Sequence, residues 1–163
     1  MIKKYFFSLM LTLSLSSYSA NTIIAVLNDD IITLNQLQKI VNQDDSKNQK
    51  IEIIESLISE KIELEYIKKL NIIPTNNAVN TELNKIAQRN NISIDDLKKL
   101  KNFEEIFSLL VTNLSKIGLR QIIIQQETKK TISPSSAEGI AIYQEWLKKI
   151  KSQMFIEIYE NKL

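Results

Sequence analysis

The chain contains no histidine and no cysteine in 163 residues. That removes imidazole as a general base, thiolate as a nucleophile, and the ligands that dominate zinc sites. No disulfide can form, so cysteine usage says nothing about the redox compartment. Glycine and proline occur twice each, which suits long helices with short joins. Basic residues exceed acidic ones only by 21 to 19, and Lys3 and Lys4 supply that difference. So neutral a chain offers no basic face for nucleic acid.

What remains for catalysis is a Ser–Lys hydrolytic set or paired carboxylates. The acid pairs Asp44-Asp45, Asp95-Asp96 and Glu104-Glu105 are sequence neighbours. On a helix such neighbours point apart and do not flank a substrate together. Asp29 and Asp30 have no third ligand nearby and read as turn chemistry. The expectation is a protein that is not an enzyme, with no metal, no cofactor and no small-molecule substrate.

Residues 1–20 carry Lys3 and Lys4, then an apolar run from Tyr5 to Leu15 broken by Ser8, Thr12 and Ser14, then the small, polar SSYSA. This is the three-part plan of a secretory signal peptide. The run is about half the ~20 residues a spanning helix needs. A cleaved leader is expected, cut after Ala20 or Ser19, with the bulky Tyr18 a poor fit to the first of these. Without cysteine the mature end has nothing to acylate.

Organisation is clearest in residues 51–70, IEIIESLISEKIELEYIKKL, which hold no glycine or proline. Ile51, Ile54, Ile58 and Ile62 step at helical spacing, and Ile53, Leu57, Leu64 and Ile67 widen the stripe. The pattern predicts a central helix buried on two sides. Before it, Ile23–Leu27 and residues 31–33 are β-branched and apolar around Asn28-Asp29-Asp30, which predicts a small two-stranded hairpin. Thr33 or Asn35 is placed to cap a first helix reaching Gln43, and NQDDSKN makes the following loop.

After the central helix, Pro74 enforces a stop. Thr75 or Asn76 opens a third helix through Val79, Leu83, Ile86 and Ala87. Ser93 caps a short fourth, with Asp95 and Asp96 in its first turn. Asn102 opens a long fifth through Phe103, Ile106, Phe107, Leu110, Leu114 and Ile117, ending in ETKKT. A Ser-Pro-Ser-Ser break precedes a last helix whose stripe is Tyr143, Trp146, Leu147, Ile150, Met154, Phe155 and Ile158. The predicted fold is mainly α, with five or six helices, one N-terminal hairpin and a long C-terminal helix packing back.

The ordered set IIAVLNDDIITLNQL, LISEKIELEYIKKLNI and IAQRNNISIDDL resembles the N-terminal domain of SurA-type periplasmic chaperones, a group akin to the substrate-binding part of trigger factor. The resemblance runs from about Thr22 to Thr131. The segment EWLKKIKSQMFIEIY is similar to the C-terminal helix that completes the same domain in that family. It divides the chain into a leader (1–20), a SurA N-terminal-like domain (21–131) and a closing helix (132–163). Two features depart from the family. Thr131 runs into the last helix within a few residues, leaving no room for a parvulin-type prolyl isomerase module, whose sites use His. LKNF, residues 100–103, also lacks the glycine usual before the long helix.

The resemblance implies a periplasmic, ATP-independent holdase for unfolded outer-membrane β-barrel proteins, without isomerase activity. The aromatics available for an apolar groove between the fifth and last helices are Phe103, Phe107, Tyr143, Trp146, Phe155 and Tyr159, with Met154 as an adaptable neighbour. For each of them, plain core packing is the competing reading. The competing functional readings are a prolyl isomerase-family protein that has lost catalysis and an assembly factor with one dedicated partner, including a homodimer formed by exchange of the C-terminal helix across the short hinge at residues 133–136.

Overall fold

The computed structural model of the chain describes residues 21–163 apart from Asp29 and Gln43; the leader read in residues 1–20 lies outside them. Six helices and three short strands follow in order: β1 (Ile23–Leu27), β2 (Asp30–Thr33), α1 (Leu34–Gln38), α2 (Lys47–Lys69), α3 (Asn76–Arg89), α4 (Ile94–Lys98), α5 (Phe103–Thr128), α6 (Ala137–Gln153), β3 (Ile156–Ile158) and a closing 3-10 turn at Glu160–Lys162. The mainly helical fold with an N-terminal hairpin is the one the sequence predicts.

Hydroxyl caps set most of the helix starts. Ser46 Oγ accepts from Gln49 N at 3.3 Å while Ser46 N donates to Gln49 Oε1 at 2.7 Å. Thr75, Ser93 and Ser136 likewise accept from the backbone N–H three residues on. Each such cap stabilises by about 1 kcal/mol. The reciprocal Ser46–Gln49 pair explains why α2 starts at Lys47, four residues before the apolar stripe.

Helix ends and the hairpin turn need left-handed backbone, which glycine normally supplies. Here both glycines are used elsewhere, and Asn28, Asn71, Asn91 and Lys129 take positive φ instead. Asparagine tolerates this conformation through local hydrogen bonding; lysine has no such relief. Gly118 and Gly139 sit inside helices at close approaches. A Cβ on Gly118 would meet an Ile72 methyl at 3.0 Å, and one on Gly139 would overlap the Ser133 carbonyl oxygen.

The structure differs from expectation at both ends. α1 spans five residues and stops at Gln38, with Leu37 its one buried side chain and Ile40 and Val41 closing onto the Leu37 carbonyl in the turn that follows. The last helix stops at Gln153, and Met154 turns extended at φ −100°, ψ 151°. Residues 156–158 then pair antiparallel with β1, Ala25 opposite Ile158 and Leu27 opposite Ile156. The predicted two-stranded hairpin is thus a three-stranded sheet of order β2-β1-β3. A lone hairpin is marginal in water, and the third strand and helix packing supply what it lacks.

Burial divides into two clusters. The main core joins Ile24, Leu27 and Ile32 of the sheet to Ile54, Ile58 and Ile62 of α2, Leu119 and Ile123 of α5, and Tyr143, Trp146 and Leu147 of α6. α6 and β3 therefore complete the same core as the residues before them. A second cluster holds Val79, Leu83 and Ala87 of α3 and Leu97 of α4, with Phe103, Leu110, Val111 and Leu114 of α5 packed against it. α5 belongs to both, so α3, α4 and its N-terminal half form an arm set on the main body.

Candidate functional site

The seven residues singled out from the sequence fall into three separate places. Phe103 and Phe107 lie one turn apart on α5, ring centroids 5.9 Å apart, at the arm. Phe103 is half-buried against the second cluster while Phe107 is exposed. Tyr143 and Trp146 lie inside the main core. Met154, Phe155 and Tyr159 belong to the extended C-terminal segment. The structure does not bring the three groups into one groove between α5 and α6.

Tyr143 and Trp146 are 1% and 7% exposed, and line no open surface as wholes. Their rings stack at 5.3 Å, and Tyr66 of α2 meets Trp146 edge-on at 5.0 Å. Such pairs add about 0.5–1.5 kcal/mol beyond the area they bury. The Tyr143 hydroxyl donates to Glu63 Oε1 at 2.9 Å. Lys116 Nζ lies 2.6 Å from Glu60 Oε1 and 3.6 Å from Glu63 Oε2, and the Arg120 guanidinium sits 5.0 Å from the Tyr143 ring centre. Burial, reinforced by the Glu63 charge, pushes the Tyr143 hydroxyl far above the ordinary tyrosine range. This cluster ties α2, α5 and α6 together and contains no free nucleophile–base pair.

The acid pairs have local partners. Asp45 Oδ2 accepts Asn42 N at 2.8 Å, and Asp96 accepts from Ser93 Oγ at 2.6 Å and from Lys99 Nζ at 3.2 Å. Glu104 and Glu105 occupy the first turn of α5, where the helix dipole favours them. Among the described residues no group of three acidic side chains is placed to hold a metal ion.

The C-terminal segment is held by its backbone. Asn28 N donates to the Phe155 carbonyl at 2.9 Å, Phe155 N donates to Asn28 Oδ1 at 3.0 Å, and Tyr159 N donates to the Ile24 carbonyl at 2.8 Å. Met154 lines a cleft together with Leu27, Ile62, Leu64, Lys61 and Lys68. The Phe155 ring stands 60% exposed. Tyr159 is half-buried, with its hydroxyl on Glu157 at 3.1 Å and Lys162 Nζ 4.3 Å from its ring centre.

Sequence reasoning missed several exposed aliphatic side chains on and beside α5. α5 is long and apolar enough by composition to cross a membrane, yet only 17% of its most apolar window is buried. Leu109 is 59% exposed and Ile117 52%. They lie eight residues apart, just over two turns along the helix, with the exposed Asn113 between them. Ile73, on the α2–α3 connection, and Leu100, before α5, are exposed on the same arm region. Exposed apolar side chains of this kind suit adaptable contact with other apolar chain.

No protein-family model matches the chain. Among curated proteins it is similar to the protein named Chaperone SurA of Buchnera aphidicola subsp. Schizaphis graminum (strain Sg), 32% identical over 117 residues, covering 60% of this chain. The chain spans about a quarter (27%) of that relative's length.

Proposed function

We propose, from that similarity, that this chain is an ATP-independent chaperone of the SurA type, binding unfolded outer-membrane proteins in the periplasm and holding them without catalysis. The observation that carries the reading is the exposure of large aliphatic side chains on α5, Leu109 and Ile117 above all. Exposed apolar side chains on such a helix mark a contact surface. Unfolded β-barrel segments carry alternating apolar side chains that such a surface shields, each site weakly, with affinity summed along a long flexible client. The absence of histidine and cysteine supports a non-catalytic role, as do the local partners of Asp45 and Asp96.

The test is suppression of aggregation. An unfolded outer-membrane β-barrel protein is diluted from denaturant into buffer with the purified chain, and light scattering is followed. Wild type is expected to suppress scattering, and a Leu109→Gln/Ile117→Gln variant, folded by circular dichroism, to suppress it less. No suppression by wild type at several-fold excess removes the chaperone reading. The dedicated-partner alternative, including a helix-exchanged homodimer, then becomes the one to pursue.

A further inference from the structure

The two outer edges of the sheet differ. On β2, the outward N–H groups are already taken. Ile31 N donates to Asp30 Oδ1 at 2.7 Å, and Thr33 N donates to Gln36 Oε1 at 2.9 Å. Lys61 Nζ, 2.7 Å from Asp30 Oδ2, holds that carboxylate in place. Side chains that occupy an edge in this way prevent another strand from pairing with it.

β3 has no such cover. Asn28 with Phe155 and Ile24 with Tyr159 are bonded pairs of the β1–β3 ladder. Bonded and non-bonded pairs alternate along an antiparallel ladder. Ile156 and Ile158 therefore sit in non-bonded pairs with β1, and their N–H and C=O groups point outward. No group among the described residues hydrogen-bonds to them on that side. Their side chains pack on the main core, which fixes the strand, while Phe155 at its start stands open.

We propose that the free edge of β3 is a strand-addition site, where an extended segment of unfolded polypeptide pairs with the backbone of Ile156 and Ile158 beside the Phe155 ring. This deepens the chaperone reading and rests on it. Two outward-facing residues offer a few main-chain hydrogen bonds, far short of the ~1,200 Å² that a stable pair of copies buries. A long client presenting many equivalent segments does not need that area. Main-chain recognition makes the site tolerant of side-chain identity and selective for extended chain without proline at the paired positions.

The probe is a fluorescein-labelled peptide of alternating valine and threonine with lysine ends, titrated with the purified chain and read by anisotropy. Ile158→Pro removes an outward N–H without touching a bond to β1, and is expected to weaken binding about tenfold, equivalent to one or two hydrogen bonds. Should that variant unfold, a second peptide with identical side chains and N-methyl groups on adjacent central residues, so that donors are lost from both of its edges, makes the same test on wild type. Weaker binding of the methylated peptide supports the edge. Equal binding of both peptides overturns it. Absence of peptide binding also overturns it: if aggregation of the β-barrel protein is still suppressed, the chaperone reading stands without it, and if not, both fall.

Discussion

Tyr143 on α6 and Glu63 on α2, 80 residues apart in sequence, share a 2.9 Å hydrogen bond inside the main core. Tyr143→Phe leaves the ring stack intact and strips the Glu63 carboxylate of its neutral donor. The expected cost is about 1–3 kcal/mol, measured by urea denaturation. The pH dependence follows from the raised ionisation of the hydroxyl. An unfolded tyrosine ionises near pH 10, while the folded protein still holds this proton. The folded state then binds more protons, so this contribution is fully present below about pH 10 and declines above it. Tyr143→Phe is expected to flatten the alkaline limb of stability against pH; an unchanged limb would count against the assignment.

Gly139 in the first turn of α6 faces the Ser133 carbonyl, which also accepts from Ser136 N at 3.1 Å and Ser136 Oγ at 2.8 Å. Gly139→Ala pushes that carbonyl away and disturbs the Ser136 cap. The expected loss is about 1–3 kcal/mol, despite alanine being the better helix former. Thermal melting reads this as a drop of about 2–4 °C per kcal/mol.

Trp146 and Phe155 make a discriminating pair. Trp146→Ala is expected to cost roughly 3–5 kcal/mol by opening a cavity against Tyr66 and Tyr143. Phe155→Ala, at an exposed ring, is expected to stay within about 0.5 kcal/mol of wild type. A binding defect in the first reports folding, whereas one in the second reports contact with client. Denaturation midpoints of the two variants check the contrast directly.

Lys129 closes α5 at φ 58°, ψ 17°, where a side chain gains nothing. Lys129→Gly relieves a left-handed conformation that costs an ordinary residue about 1–2 kcal/mol, against a larger entropy loss on folding. A net stabilisation below about 1 kcal/mol is expected by chemical denaturation. Destabilisation would mean that the Lys129 side chain makes a contribution of its own.

The helices were legible because their signals are local: Thr75 and Ser93 announce starts, and the isoleucine steps of α2 announce its buried face, although residues 47 and 48, read as loop, belong to α2 through the Ser46 cap. β3 was not, because Ile150, Met154 and Ile158 also fit a helical stripe. The alternation Phe155-Ile156-Glu157-Ile158-Tyr159 carried the competing period of two. The aromatics named from the sequence could not be sorted into core and surface. Whether Tyr143 or Phe155 faces the core depends on where α6 ends and how it rotates against α2, which no single segment encodes. The Glu63–Tyr143 bond and the exposed aliphatic side chains of α5 are likewise products of packing between distant segments.

The central strand of the sheet is flanked by its earliest and its latest neighbours. β2 follows β1 across one tight turn, while the bond from Phe155 to Asn28 spans 127 positions. A chain emerging N-terminus first therefore has its hairpin long before the strand that completes the sheet. Through that interval β1 keeps an unpaired flank, and closing so large a loop waits on the helices between to shorten the search. Maturation of this fold ends with a sealing step, and a chain stalled or clipped before Ile156 is left with β1 itself as an open, aggregation-prone edge.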